Sequence, residues 1–251
     1  MFFVISPGQK NMKDSPKKWA NKQVISLNSE FSGEDVGLMI GSLLKRFRNK
    51  IIFSTSLGAE DQVLTSLIAG KDASVPIITL DTGRLFPEAY ELIESTEKRY
   101  GISIEILFPD ADKVKQMVNE KGINLFYQSV ENRKLCCRIR KKEPLAKRLK
   151  GYDVWITGLR RGQSATREEN HLADYDPIHD MIKINPLIDW TTEQIWDFIR
   201  KHKIPYNTLH NRGFPSIGCQ PCTRAILPGE DIRAGRWWWE TGKKECGIHE
   251  R

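Results

Sequence analysis

Between residue 50 and about residue 121 the chain alternates short β-rich runs with helical ones: "KIIFSTS", "EDQVLTSLIAG", "SVPIITLDTG", "PEAYELIESTEKRYG", "ISIEILFP" and "ADKVKQMVNEKG". This rhythm is that of βαβ units, in which parallel strands are joined by crossover helices. It predicts an α/β domain built on a parallel sheet. Pro87 suits the first turn of its helix and Gly101 the C-terminal cap. "YDVWITGLRR" and "MIKINPLIDW" read as further strands, and "TEQIWDFIRKHKI" as a helix opened by Thr191 with Gln194 three residues on, a capping box. The sheet is then expected to be complete by about residue 205.

No internal repeat or low-complexity tract interrupts the chain. Residues 1–30 are polar, carry Lys10, Lys13, Lys17, Lys18 and Lys22, and read as an N-terminal arm. Residues 31–205 form the α/β domain, and residues 206–251, rich in Pro and Gly, read as an irregular C-terminal tail with functional content. With 251 residues, 39% hydrophobic and 28% charged, the composition is that of a soluble globular protein and excludes a long disordered chain. The start "MFFVISPGQK" has a short apolar run with no basic region before it, so neither a signal peptide nor a membrane span is expected. A cytoplasmic location without membrane association follows as the expectation. There, five cysteines suit metal binding, redox chemistry or plain core packing better than a disulfide framework.

In open parallel sheets the ligand sits beyond the carboxyl ends of the strands. Three such ends carry suitable groups. In "STSLGAED", Ser54, Thr55 and Ser56 offer hydroxyls and Gly58 lets backbone amides approach an anion as a helix begins, with Glu60 and Asp61 just inside it. In "LDTGR", Asp81, Thr82 and Gly83 are able to accept from a ribose or a base edge. In "TGLRRGQSATR" stand Gly158, Arg160, Arg161 and Arg167. The first loop lacks the Gly-Lys-Ser/Thr of a P-loop. It resembles the Ser-Gly-Gly-x-Asp-Ser loop of the adenine nucleotide α-hydrolases, with Leu57 in place of the first glycine, Glu60 in place of the aspartate and Asp61 in place of the serine. These departures count against pyrophosphate binding and ATP cleavage and leave open an adenosine nucleotide with a smaller anionic tail; residues 31–205 are read as a nucleotide-binding domain. The net charge of +7 is concentrated near "CCRIRKKEPLAKRLK", "GLRRGQSATRE" and "DIRAGR", which suggests cations converging on one site. Lys147, Arg148 and Lys150 read as an ordinary solvated face.

Cys136 and Cys137 are adjacent, and Cys219 and Cys222 form "CQPC". A Cys-x-x-Cys pair serves zinc, iron–sulfur clusters and dithiol chemistry alike. Adjacent cysteines project in different directions, which favours a larger acceptor with separate iron corners, a [4Fe–4S] cluster, over a single zinc ion. The fifth, Cys246, stands six residues from the end among Lys243, Lys244 and His249; such cations favour a reactive thiolate, but on residue type alone a tail cysteine without a role is the more common case. The indoles Trp237, Trp238 and Trp239 read as packing that anchors the tail. A tRNA-thiolating enzyme is a rival reading, but its Ser-Gly-Gly-x-Asp-Ser loop and RNA-binding region are not visible; a zinc-bearing nucleic-acid module leaves the βα sheet and the cysteine tail without a purpose.

The segments "CCRIRKKEPL", "GLRRGQSATR", "GCQPCTRA", "RAGRWWWE" and "KECGIH" together resemble the motif set of assimilatory adenylylsulfate reductases, the iron–sulfur branch of the PAPS reductase family, from about residue 50 to the end and in the family's order. The resemblance implies a modified adenine nucleotide α-hydrolase sheet, Rossmann-like, with a flexible C-terminal tail. It implies adenylylsulfate as substrate, sulfite and AMP as products, a [4Fe–4S] cluster on Cys136, Cys137, Cys219 and Cys222, and a role in sulfate assimilation and cysteine biosynthesis. Family members without the cluster generally use 3′-phosphoadenylylsulfate and lack both cysteine pairs, which this chain keeps. By correspondence Cys246 is the nucleophile, with His249 beside it to orient or deprotonate it, and Lys141, Arg167, Arg233 and Arg236 are the cations that screen the sulfonate and the leaving phosphate. The implied reductant is thioredoxin or glutaredoxin. No nucleic-acid partner is implied, and a homo-oligomer is compatible with the reading.

Overall fold

The computed structural model describes residues 16–164, 167–241 and 247–248. The strands are β1 (Ile51–Thr55), β2 (Ile77–Leu80), β3 (Ile104–Leu107), β4 (Val154–Ile156), β5 (Ala173–Asp176) and β6 (Met181–Ile184). They pair in the order β3-β2-β1-β4-β6-β5, all parallel except β5, which runs antiparallel on the β6 edge. The helices are α1 (Pro16–Glu30), α2 (Val36–Arg46), α3 (Ala59–Lys71), α4 (Pro87–Tyr100), α5 (Ala111–Lys121), α6 (Val130–Cys137), α7 (Glu143–Leu149) and α8 (Thr192–His202).

Side-chain alternation splits the sheet between two apolar layers. Ile51, Phe53, Val154, Ile156, Ile182 and Ile184 join the large cluster under α1, α2, α3 and α8. Ile52, Ile78, Trp155 and Met181 pack on the other face against Leu145 and Leu149 of α7. Strands buried on both faces read as continuous apolar runs, as "KIIF" does. Each fully buried Ile or Phe of this kind contributes roughly 1.5–3 kcal/mol. Pro87 opens α4 and Gly101 ends it with φ +64°; Thr191 and Gln194 close a reciprocal capping box on α8.

Two parts differ from the sequence expectation. Residues 16–30, expected to belong to a polar arm, form α1, whose Trp19, Ala20 and Leu27 are buried in the core. Asn28 also pairs with the open edge of β5, donating to the Ala173 carbonyl at 2.8 Å and accepting from its N–H at 3.0 Å. The lysines occupy the solvent side, and the burial of the opposite face, supplied by the distant β5–β6 hairpin, decides the helix. The described part of the C-terminal segment is irregular but not loosely attached: Cys219, Cys222, Arg236 and Trp237 are buried, and Thr223 bridges to Arg236. Among the described residues no helix is long and apolar enough to cross a membrane.

Candidate active site

The chain steps from β1 outward through β2 to β3, then crosses to β4 on the other side of β1. At such a reversal the crossovers diverge and leave a crevice at the carboxyl ends of the strands. A cavity of about 260 Å³ lies there. Its walls include Ser54, Thr55, Ser56, Gly58, Glu60 and Asp61 from the β1 loop, Thr82 after β2 and Gly158 after β4. The cations Lys141, Arg167, Arg233 and Arg236 also reach it.

The β1 loop is held from within. Leu57, where the related loop has glycine, keeps a left-handed backbone at φ +62°. That conformation costs a non-glycine residue about 1–2 kcal/mol. Burial of its side chain against Ala89, Leu92 and Ile93 of α4 offsets the cost. Asp61 Oδ2 accepts from the backbone N–H and the hydroxyl of Ser56, each at 2.6 Å. Burial pushes the Asp61 carboxyl up to about 6, against the pull of the Ser56 hydrogen bonds. Gly158 lies so close to this carboxylate that any Cβ would overlap it, which is why the β4 loop needs glycine here. Trp155, on the same face of the sheet as Ile52 and Ser54, donates its indole N–H to Ser54 Oγ at 2.7 Å.

Several residues singled out in the sequence support the walls rather than face the cavity alone. Glu60 accepts from Arg160 Nε at 2.8 Å, and Arg160 also donates to the Trp190 carbonyl at 2.8 Å. Asp81 and Gly83 are not among the lining residues. The Asp81 carboxylate accepts from the Gly83 N–H at 2.7 Å and from the Tyr90 hydroxyl, turning the β2 loop. Arg167 donates to Gln163, itself in the cavity wall.

Arg236 is delivered by the C-terminal segment. Its guanidinium donates to the Ile217 carbonyl at 3.1 Å and lies where a side chain on Gly218 would stand, so "SIGC" makes room for it. The same guanidinium stacks over the Trp237 ring at 4.8 Å, and Arg133 stacks there too at 4.6 Å. Trp238 is 39% exposed, so the indole run packs through Trp237 and only in part through its neighbours.

Beside the crevice a second, smaller cavity is lined by all four cysteines, Cys136, Cys137, Cys219 and Cys222, with Arg133, Arg140, Lys141 and Trp237 around them. Cys136 and Cys137 end α6, which runs directly into a π-helical turn over Arg138–Lys142. Such turns recur at functional sites, and this one brings Arg140 and Lys141 back beside the thiols. Burial pushes the Cys222 thiol up to about 12, with the neighbouring Cys219 adding to the rise. Burial alone would raise Cys219 as well, but Lys141, the Thr82 hydroxyl at 3.2 Å and Arg236 more than offset it, and its net shift is downward. Among the described residues no group of three or more His, Cys, Asp or Glu side chains is placed to hold a metal ion. Lys141, Cys219 and Trp237 line both cavities and form the wall between them.

The expected nucleophile Cys246 and its neighbour His249 lie outside the described residues. Ile248, between them in sequence, lines the crevice and packs with Leu145. Other wall residues escaped the sequence reading: Thr157, Asn207, His210 and Gln163. Only Thr157, at the end of a predicted strand, had a positional signal.

Residues 50–225 match the family described as phosphoadenosine phosphosulfate reductase domain. The chain is 51% identical over 219 residues to the adenosine 5′-phosphosulfate reductase of Allochromatium vinosum, covering 87% of this chain and 86% of that one. It is 47% identical over 231 residues to the protein of the same name from Agrobacterium fabrum, covering 92% and 88%. Among solved structures, the phosphoadenylyl-sulfate reductase of Candida auris, in a phosphate complex, superposes with a TM-score of 0.69 at 23% identity over 86% of this chain and 100% of that one. The last likeness concerns the fold, which is that of adenine nucleotide α-hydrolase-like proteins, as the βα rhythm and the strand-end loops lead one to expect. On the family match and the identity to these relatives, the chain belongs to the phosphoadenosine phosphosulfate reductase family.

Proposed function

We propose that the protein reduces adenylylsulfate to sulfite and AMP, with Cys246 as sulfonate acceptor and a reduced thioredoxin or glutaredoxin as electron donor. The observation that carries this reading is the shared wall of Lys141, Cys219 and Trp237 between a cation-lined nucleotide crevice and a four-cysteine cavity. The relatives' printed name supports the substrate.

The chemistry follows from charge. A Cys246 thiolate attacks the sulfur of the sulfonate, the S–O bond to the phosphate breaks, and AMP leaves with the electron pair. Both partners are anions, so the step needs positioned cations. Lys141 and Arg236 screen the sulfonate, and Arg167 and Arg233 pair the growing phosphate charge. The enzyme then carries Cys246–S–SO₃⁻. A thiolate of the reductant attacks the Cys246 sulfur and expels sulfite; its second thiol resolves the mixed disulfide, the reductant leaves as a disulfide, and Cys246 regains its thiol. His249 orients Cys246 or takes its proton, and closure of the tail over the crevice excludes water.

By donor chemistry, though not by the spacing of the thiols, the second cavity suits a [4Fe–4S] cluster: four sulfurs and neither carboxylate nor imidazole line it, cations surround it, and the buried Trp237 Nε1 has no acceptor. Cys136, Cys137, Cys219 and Cys222 would hold the cluster, which supplies a compact iron–sulfur charge centre next to Lys141. The test is turnover of adenylylsulfate against 3′-phosphoadenylylsulfate with reduced thioredoxin. Sulfite from the first and little from the second is expected; no sulfite from either would overturn the reading. A cytoplasmic place in sulfate assimilation follows from the same proposal.

A further inference from the structure

Arg133, in the middle of α6, is 2% exposed, and it is not a cavity-lining cation of the nucleotide crevice. Its Nε and Nη2 donate to the two carboxylate oxygens of Glu240 at 2.8 and 3.0 Å, and the Glu240 side chain is 6% exposed. The pair spans 107 residues of sequence. On one side Arg133 also bonds to the Cys137 thiol, and on the other it lies over the Trp237 ring. The backbone N–H of Trp237 donates to the Cys222 carbonyl at 3.2 Å, and the backbone N–H of Glu240 donates to the Trp237 carbonyl at 2.9 Å. A single guanidinium therefore touches the helix of one cysteine pair, the aromatic clamp beside the other, and the last turn before the tail.

Burying two ions is expensive, and an apolar pair of equal volume often serves stability as well or better. What a bidentate Arg–carboxylate pair adds is fixed geometry. Glu240 is six residues before Cys246. We propose that the Arg133–Glu240 pair is a positioning device that fixes the segment leading to Cys246 against the cysteine-bearing helix beside the four-cysteine cavity. The inference rests on the reading above, in which Cys246 is the sulfonate acceptor. It assigns to these two side chains the link between the four-cysteine cavity and the segment that precedes that cysteine.

Glu240→Gln keeps the shape and removes the charge; Arg133→Lys keeps the charge and removes the fork. Hydrogen exchange of the Trp237–Glu240 amides is measured in the iron-loaded full chain, with steady-state turnover of adenylylsulfate alongside. In Glu240→Gln these amides should exchange at least about tenfold faster than in wild type while α3 and α4 stay protected, since the opening is local. The nucleotide KM should stay within about twofold and kcat should fall by about tenfold, the split expected when the site is intact and delivery of the nucleophile is impaired. Arg133→Lys should fall between wild type and Glu240→Gln in both readouts. Unchanged amide protection in both variants, or a raised KM with unchanged kcat, would overturn the anchor. If wild type itself fails to turn over adenylylsulfate, the functional reading falls, and the amide exchange still decides the anchor.

Discussion

Asp61 binds Ser56 twice, taking its backbone N–H and its hydroxyl on one carboxylate oxygen at 2.6 Å each. The contact closes the β1 loop on the first turn of α3 and leaves the carboxylate buried beside Gly158. Its cost appears as a raised pKa of about 6 against the ordinary 3.8, caused first by burial. The folded chain thus holds this proton more tightly than the unfolded one.

The stability linked to Asp61 is therefore fully present below pH 3.8 and is lost as pH rises through about 6. The difference corresponds to about 3 kcal/mol at neutral pH. Asp61→Asn keeps an oxygen for both Ser56 donors and has nothing to ionise. Denaturant unfolding of both proteins at pH 4.5 and 7.5 should show the variant gaining on wild type by about 2 kcal/mol between the two. A gap independent of pH would mean that the buried carboxylate is not the titrating group.

Lys141 and Arg236 both line the crevice, one from the π-helical turn and one from the position beside Gly218. Removing either by Ala should reduce kcat/KM by about 2–4 kcal/mol of transition-state stabilisation, as for other positioned charges. Circular dichroism and the thermal midpoint control for folding. Full efficiency in Lys141→Ala would return that lysine to the solvated surface.

The four thiols of the second cavity act as one donor set in the proposed cluster. Cys136, Cys137, Cys219 and Cys222 should each, as Ser, lower iron content and visible absorbance together. Chelation of iron from wild type should reproduce the spectrum of these variants. A variant that keeps about four irons per chain removes its cysteine from the set.

Much of the sheet was legible because the strands are buried on both faces and the helices between them carry their own punctuation, as Pro87, Gly101, Thr191 and Gln194 do. α1 was not, because the burial of Trp19 and Leu27 depends on a hairpin some 150 residues away. β5, "ADYD", is too short and polar to announce a strand, and its outer edge is satisfied by Asn28. At the site, residue types were readable and pairings were not. Nothing local in "GAED" says that Glu60 meets Arg160 or that Asp61 turns back on Ser56. Likewise the cysteine pairs were visible as pairs, whereas Arg133 between Cys137 and Glu240 is a product of the fold.

Four of the five cysteines line the second cavity; the fifth, Cys246, lies outside the described residues, and its neighbours in sequence include Lys243, Lys244 and His249. Ile248, two residues on, lies in the crevice wall. If the tail supplies the chemistry and the sheet supplies the site, Cys246→Ser should abolish sulfite release while nucleotide binding and the iron spectrum stay near those of wild type. Wild-type protein given adenylylsulfate without a reductant should gain one sulfonate on the peptide that contains Cys246, and reduced thioredoxin should remove it. The label must sit on that sulfur, because a thiolate that has displaced AMP keeps the sulfonate until another thiol attacks. A sulfonate found on any of the other four cysteines, or turnover persisting in Cys246→Ser, would refute the two-step thiol mechanism.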